Sequence, residues 1–394
     1  MEVKQICTLI NAVSDEVLGK TDIVKDDLTG VVDLGNEIFN QKAVDNYVKS
    51  LVNHIGKVVF VNRPYSGKVP SVLMDAWEFG SVLEKISADV PQAEENDTWD
   101  LRDGTEYKQD VFHKPTVSAK FFNSKVTFEV PVSITERQVR ESFSSAAQLN
   151  GFLSMIYSAV EKSMTIKTDA LVMRTINNMI AETLEADKAA FGWVPSTKET
   201  VDYASASTVR CVNLLKLYNT KTGAHLTADV AVTTPDFIRF AAYQMGLYAD
   251  RLQTISTLFN VGGKERFTPK DVLHTVLLSD FATAAKTYLY ADTFHEDNVL
   301  LPKAETVASW QATGNDYAFE HVSKIDVKSA SGASISVSGV LGVMFDRDAL
   351  GVTNLDRRVT TNYNAKAEFF NNYYKFDAGY FNDTNENFVV FFIA

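Results

Sequence analysis

"AEFFNNYYKFDAGYFNDTNENFVVFFIA", residues 367–394, places ten aromatic rings between Phe369 and Phe392 and threads them through asparagines. Chain ends that nothing holds down are small and polar, so these rings must be buried in a fold or an interface. Within "FVVFFIA", strand periodicity puts Phe388, Val390 and Phe392 on one side and Val389, Phe391 and Ile393 on the other. Both sides are apolar, which predicts a strand covered on both faces, with Phe388, Val390, Phe391 and Phe392 as core. A buried strand of an unrelated enzyme would look the same, so the rest of the chain must decide.

Upstream, residues 200–345 alternate helical and strand-like patterns. "TADVAVTTPDFIRFAAYQMGLYADRL" predicts a strand followed by a helix, with Thr233 or Thr234 as N-cap and Pro235 opening it. "SASGASISVSGVLGVMFD" predicts a strand pair punctuated by glycine and serine. Further back lies the longest helical signal. From Arg137 to Ala186 the only glycine is Gly151, and no proline intervenes between Pro131 and Pro195. Leu149, Phe152, Leu153, Ile156, Val160, Met164, Leu171, Ile176, Met179 and Leu184 keep helical spacing. Helices average about 11–12 residues, so this stretch predicts either a single spine or two stacked helices broken near Thr165–Asp169.

Before that helix, residues 78–136 predict a long two-stranded β-arm with an acidic tip. The tip "EENDTWDLRDGTEYKQD" (94–110) carries seven acids against Arg102 and Lys108, with Gly104 as a turn residue. "VTFEVPVSI" alternates strictly, and Pro131 in it points to an edge or a bulge. Residues 1–65 hold two helical patterns and the β-rich run "KVVFVNRPY", a piece too thin to fold alone.

The totals bound the function. A chain of 394 residues, 45% hydrophobic and 22% charged, has the composition of a globular protein with two or three lobes. No apolar run approaches the roughly 18 residues that span a bilayer, and "MEVKQICTLINAV" lacks the features of a secretory signal. Cys7 and Cys211 cannot staple so large a chain and are expected as reduced thiols of a protein made inside a cell. A net charge of −12 disfavours tight sequence-independent nucleic-acid binding.

Sites for chemistry fail on inspection. "DTNEN" (383–387) alternates oxygen ligands as a calcium loop does, but Phe388 stands where glycine is needed. "DRDALG" (346–351) has Arg357 where the bidentate glutamate belongs. "GASIS" ends on Ser336 rather than the glycine of a nucleophile elbow. "NVGGKERF" and "PYSGKVPS" lack the rest of a phosphate loop. The six histidines, at 54, 113, 225, 274, 295 and 321, show no metal spacing. No cofactor, metal or catalytic residue is expected.

The order of elements is an arm, a β-loop with a charged tip, a long helix, a mixed lobe and a returning terminal strand. In this order the chain resembles the major capsid proteins of tailed bacteriophages with the Hong Kong 97 type fold, an α+β architecture. "IFNQKAVDNYVKSLVNHIGKVVFVNRPY", "TFEVPVSITERQVRESF" and the terminal stretch resemble those of small short-tailed phages in particular. The resemblance implies an N-terminal arm (1–65), an E-loop (78–136), a peripheral domain with the spine helix (137–200 plus 346–394) and an axial domain (201–345). It places the terminal strand in the peripheral domain against the spine helix.

The resemblance also implies a shell of hexamers and pentamers around double-stranded DNA in a virion, assembled in the host cytoplasm. The implied partners are further copies of the chain, a separate scaffolding protein, a portal protein and non-specifically contacted DNA, with no membrane. The tip acids Asp97, Asp100, Asp103 and Glu106 are expected to meet basic residues such as Lys125, Arg137, Arg140, Arg357 or Arg358 of a neighbour. Two other readings compete: an encapsulin-type nanocompartment with the same shell fold, and a soluble α/β hydrolase or binding protein.

Overall fold

A computed structural model describes residues 3–19, 24–25, 33–34, 46–47, 50, 69–74, 83–88, 93, 95, 97–106, 112, 114, 116–138, 146–194, 201–290, 304–311 and 316–394. It divides into two compact units. The first comprises Met1–Phe79, Lys125–Val172 and Val352–Gly379; the second comprises Gly80–Ser124, Met173–Gly351 and Tyr380–Ala394. The second helical pattern of the N-terminal segment and "KVVFVNRPY" fall almost wholly outside the described residues.

In the first unit, helix α1 (Val3–Leu18) buries Ile10, Val13 and Ser14. Asn11 brackets the backbone of Val24, donating to its carbonyl at 2.9 Å and accepting from its N–H at 3.0 Å. A four-stranded sheet has the order β1-β11-β12-β4, formed by β1 (Leu73–Met74), β4 (Lys125–Thr135), β11 (Leu350–Asn364) and β12 (Phe369–Asn382). "VTFEVPVSI" therefore does not run back along the acidic arm as expected. It pairs antiparallel with β12 over its whole length, from Thr135↔Phe369 to Lys125↔Gly379. Its alternation is that of a half-buried strand, and either partner would satisfy it; the rings Phe128 and Phe376, 5.0 Å apart, face each other across the pair. β4 lies at a sheet edge, which accommodates Pro131.

Helix α2 runs unbroken from Ala146 to Ala186, 41 residues and roughly 60 Å at about 1.5 Å per residue. No break occurs at Thr165–Asp169. Thr165 and Thr168 turn their hydroxyls onto the carbonyls of Glu161 and Met164 one turn back, so the polar side chains are satisfied inside the helix. Ile156, Val160, Met164, Leu171, Ile176, Met179 and Leu184 are all buried.

The second unit is built on a five-stranded sheet of order β5-β13-β10-β6-β7, from β5 (Cys211–Asn213), β6 (Leu273–Leu278), β7 (Ala304–Val307), β10 (Val340–Asp346) and β13 (Phe388–Phe392). Here the sequence expectation needs correction. The aromatic terminal strand does not join the sheet of β11 and β12. It runs parallel to β5 and antiparallel to β10, among residues expected in the axial lobe. Its two apolar faces explain the choice, because only a sheet layered on both sides can bury both. Val389, Phe391 and Ile393 join the core formed with α3 (Leu214–Thr222), α4 (Pro235–Arg251) and α5 (Ser279–Tyr290). On the other side Phe388 stacks with Phe345 at 5.7 Å, and Phe392 meets Phe191 at 6.1 Å and Tyr203 at 6.2 Å. Phe388, Val390, Phe391 and Phe392 are all buried.

Two local features fix this sheet. Asn213 caps α3 by accepting from the Lys216 N–H at 3.0 Å, and its amide donates to the Ala394 carbonyl at 3.2 Å. Gly339 sits at φ +79°, and a Cβ there would lie 1.9 Å from the Ile393 carbonyl oxygen. Only glycine permits that approach.

Two smaller expectations also change. Ala228–Ala231 is a short helical turn, not a strand, and Thr234 precedes Pro235 as N-cap with its hydroxyl bonded back to Val230. β9 (Ser334–Val337) does not pair with β10 that follows it. It pairs with β8 (Ile325–Lys328), and Gly339 lies in the turn that sends β10 elsewhere.

Candidate assembly surfaces

The second unit carries a two-stranded hairpin of β2 (Leu83–Ala88) and β3 (Val117–Phe122), in register from Leu83↔Phe122 to Ala88↔Val117. The acidic segment lies between these strands. The arm is thus shorter than 78–136 and ends near Ser124.

The hairpin is held at one end by charge. The Lys85 ammonium donates to Asp383 at 2.9 Å and Glu386 at 2.8 Å, and Lys120 donates to Asp383 at 2.9 Å. Arg266 adds a contact of 3.2 Å to Glu386. The Phe122 ring packs 5.1 Å from Phe381 beside this cluster. Asp383 is only 2% exposed. Burial works against its charge, yet Lys120 and Lys85 hold its carboxyl below the usual carboxylate range. Burial also works against the Lys85 ammonium, and Glu386 and Asp383 outweigh it, raising Lys85 above its ordinary value. "DTNEN" is therefore a turn whose acids clamp lysines. Among the described residues no cluster of acids, histidines and cysteines could hold a metal ion.

Beyond the half-buried Leu83–Phe122 pair, the hairpin is patterned inside out. Lys85, Ser87, Ser118 and Lys120 are half-buried, whereas Ile86, Val117 and Phe121 are 66%, 58% and 62% exposed. The tip continues this character, with Trp99 99% and Phe112 87% exposed. A two-stranded hairpin is at best marginally stable in water, and this one turns its apolar side outward.

The expected contact residues distribute as follows. Asp97 lies in a single 3₁₀ turn, Asp97–Trp99. Asp100, Asp103 and Glu106 are exposed around Gly104, which has the positive φ of a turn glycine, and Asp100 pairs with Arg102 at 2.9 Å. Lys125 and Arg137 are exposed, Arg357 is half-buried, and Arg140 lies outside the described residues. Arg358 is already engaged within its own chain, at 2.7 Å from Asp377 and 3.2 Å from Asp356, and that hydrogen bond keeps the Asp377 carboxyl low. Nothing in the sequence reading singles out Lys85, Lys120, Arg266 or Glu386. The signal present was the lysine at an inward position of each strand, legible only once the hairpin register is known.

Cys211, the first residue of β5, is fully buried, and burial, with Asp187 adding to it, pushes its thiol well above the ordinary range. It is a packing residue rather than a nucleophile.

Comparison with known proteins places this architecture. Among solved structures, the capsid of Staphylococcus phage Andhra is 9% identical with a TM-score of 0.47, covering 84% of this chain and 86% of its own. The capsid of Cyanophage P-SCSP1u is 11% identical with a TM-score of 0.40, covering 85% and 92%. Likenesses this distant bear no weight by themselves. No curated protein matches the chain. The family model of Phi29-like phage major capsid proteins, however, matches residues 10–392. The mixed helix-and-sheet architecture is consistent with the Hong Kong 97 type fold, and neither the nanocompartment nor the hydrolase reading is favoured. Matched over nearly its whole length, the chain belongs to the Phi29-like phage major capsid protein family and builds the shell of a virion with copies of itself.

Proposed function

We propose that the chain forms the hexamers and pentamers of an icosahedral shell enclosing double-stranded DNA. Residues 1–65 serve as the arm reaching across neighbours. The E-loop is narrowed to about 80–124, the limits of the hairpin and its tip. The peripheral domain contains α2 and the β1-β11-β12-β4 sheet, and the axial domain contains residues 201–345 with β13 added to its sheet. Assembly takes place in the host cytoplasm with a separate scaffolding protein and a portal protein. The subunit does no catalysis and needs no cofactor. No helix among the described residues is long and apolar enough to cross a membrane.

The observation that carries this reading is the inside-out hairpin, a surface that makes sense when another molecule covers it. Charge agrees with the role. With a net charge of −12, a wall contacts DNA without trapping it, because little counterion release rewards binding. Negative-stain electron microscopy of the protein, alone and coexpressed with its genomic neighbours, tests the reading. Closed icosahedral shells, or hexamers and pentamers, are expected; a persistent monomer under both conditions overturns it.

A further inference from the structure

We infer that the groove between α3 and α4 seats an acidic amphipathic helix of a different protein, with an apolar side chain on Leu217 and Phe240 and carboxylates on Lys216 and Lys221. The inference deepens the proposed assembly with a separate scaffolding protein, because it names a surface that holds such a partner.

Lys216, Leu217, Thr220 and Lys221 fall at i, i+1, i+4 and i+5 of α3 and so share one helical face. Phe240, Tyr243 and Gln244 fall at i, i+3 and i+4 of α4 and share another. A concavity of about 420 Å³ lies among Leu217, Thr220, Phe240 and Gln244, with the exposed Lys216 and Lys221 in its wall. Leu217 and Phe240 are half-buried, and the Phe240 ring is held edge-on to Tyr218 at 5.4 Å. Lys221 reaches over Phe240 at 5.7 Å and over Tyr243 at 5.9 Å, the latter ring 54% exposed. Neither lysine meets a carboxylate among the described residues. Helix α3 contains no acid at all, in a chain whose net charge is −12.

These features select the occupant. Five residues of helix separate the two lysines by about 7.5 Å along the axis, a spacing that meets carboxylates on successive turns of a partner helix. The apolar strip between them rewards a leucine or an aromatic ring, which the phosphate surface of duplex DNA does not present. A second copy of this chain supplies no such helix among the described residues. Helix α1 spends Ile10 and Val13 on its own unit. The exposed Met155 and Ile166 of α2 share their stretch with Lys162 and Lys167. The exposed acids Asp100, Asp103 and Glu106 surround a turn, and the only helical piece beside them is the single 3₁₀ turn Asp97–Trp99. Because the chain as a whole is acidic, an acidic helix is disfavoured elsewhere on it and directed to this groove.

Peptide binding to the unassembled full-length subunit tests the groove. The probe is a dye-labelled helical peptide of leucine, one phenylalanine and glutamate, read by fluorescence anisotropy beside a twin with lysine for every glutamate. The basic twin should bind at least about tenfold more weakly, and K216E/K221E should reverse that preference. Thr220→Trp, which fills the groove without changing charge, should weaken the acidic peptide by about tenfold. Subunit Tm should be unchanged in both variants, since all three side chains are exposed. In coexpression with the genomic neighbours, K216E/K221E should lower the yield of closed particles by about tenfold. Equal binding of the two peptides, or binding and yield that neither variant alters, overturns the groove. A duplex oligonucleotide that binds and is lost in K216E/K221E while the acidic peptide is not puts DNA there instead. A peptide of residues 94–110 that binds more tightly than the probe puts a second copy there, and also overturns the inference. Wild-type shells in any of these cases keep the capsid reading intact. A wild-type chain that forms no particles under any condition removes that reading, while the peptide measurement still decides the groove.

Discussion

Truncation of Phe391 to alanine measures how much the second unit depends on its terminal strand. Phe391 is 0% exposed, lies edge-on to Tyr248 at 5.3 Å and sits in a core with Phe237, Met245 and Phe281. Nothing nearby can collapse readily into the gap, because β13 is hydrogen-bonded on both sides, to β5 and β10. Removing a phenyl ring from such a site costs about 3–5 kcal/mol. For a unit of about 150–250 residues each kcal/mol lowers Tm by about 2–4 °C, so Phe391→Ala should melt roughly 6–20 °C below wild type. Phe391→Leu, which keeps more of the volume, should cost about 1–1.5 kcal/mol. Trp99→Ala is the matched control. The ring is larger but 99% exposed, and its removal should stay within about 0.5 kcal/mol. Differential scanning calorimetry of unassembled subunits reads all three. If Phe391→Ala melted within about 2 °C of wild type, or no lower than Trp99→Ala, the placement of β13 at the centre of this core would be wrong.

Asp383→Asn should loosen the hairpin and lower Tm near neutral pH, with a signature in acid. The folded Asp383 carboxyl lies below its unfolded value of about 3.9, so its stabilisation is present above that value and lost as pH falls through the depressed one. The Tm gap between variant and wild type should therefore close in strong acid; a gap independent of pH would place its origin elsewhere. Lys85, raised by Glu386 and Asp383, contributes below its unfolded value of about 10.4 and loses that contribution as pH rises through the raised one, so the clamp holds across the neutral range. Gly339→Ala should destabilise by more than about 1 kcal/mol through the clash with the Ile393 carbonyl and the strained φ, whereas Gly151→Ala, on open helix surface, should leave Tm unchanged or higher in the same melt. Reversing Asp97, Asp100 and Asp103 to lysine should reduce particle yield without moving the subunit Tm; unchanged yield would remove the tip from the interface.

Much of this architecture is legible in the sequence where burial imposes a period. The long helix reads from its spacing because one stripe is buried from Ile156 through Leu184. The double-sided terminal strand reads from its composition. What the sequence does not carry is partnership. β4 alternates in the same way whether it pairs with β3 or with β12, and only the register Thr135↔Phe369 shows which. β9 and β10 adjoin in sequence, yet Gly339 parts them into different sheets. The hairpin clamp was hidden for the same reason. Lys85 and Lys120 become neighbours through the register Lys85↔Lys120, and they meet Asp383 only once the turn after β12 is in place. The acidic tip is visible in the sequence, but the neighbouring copy proposed as its partner leaves no trace in one chain.

The position of β13 also sets a timetable. In the five-stranded sheet it lies between β5 and β10, although it is the last of those strands to be made. Throughout synthesis β5 and β10 have no common neighbour, and the core beneath α4 lacks Val389, Phe391 and Ile393. Closing a contact so distant along the chain is slow relative to local structure. A nascent subunit therefore cannot finish its larger lobe, or present a settled surface to other subunits, until the aromatic stretch of β13 has left the ribosome. A truncated product fails by the same rule, and unfinished bricks are kept out of the wall.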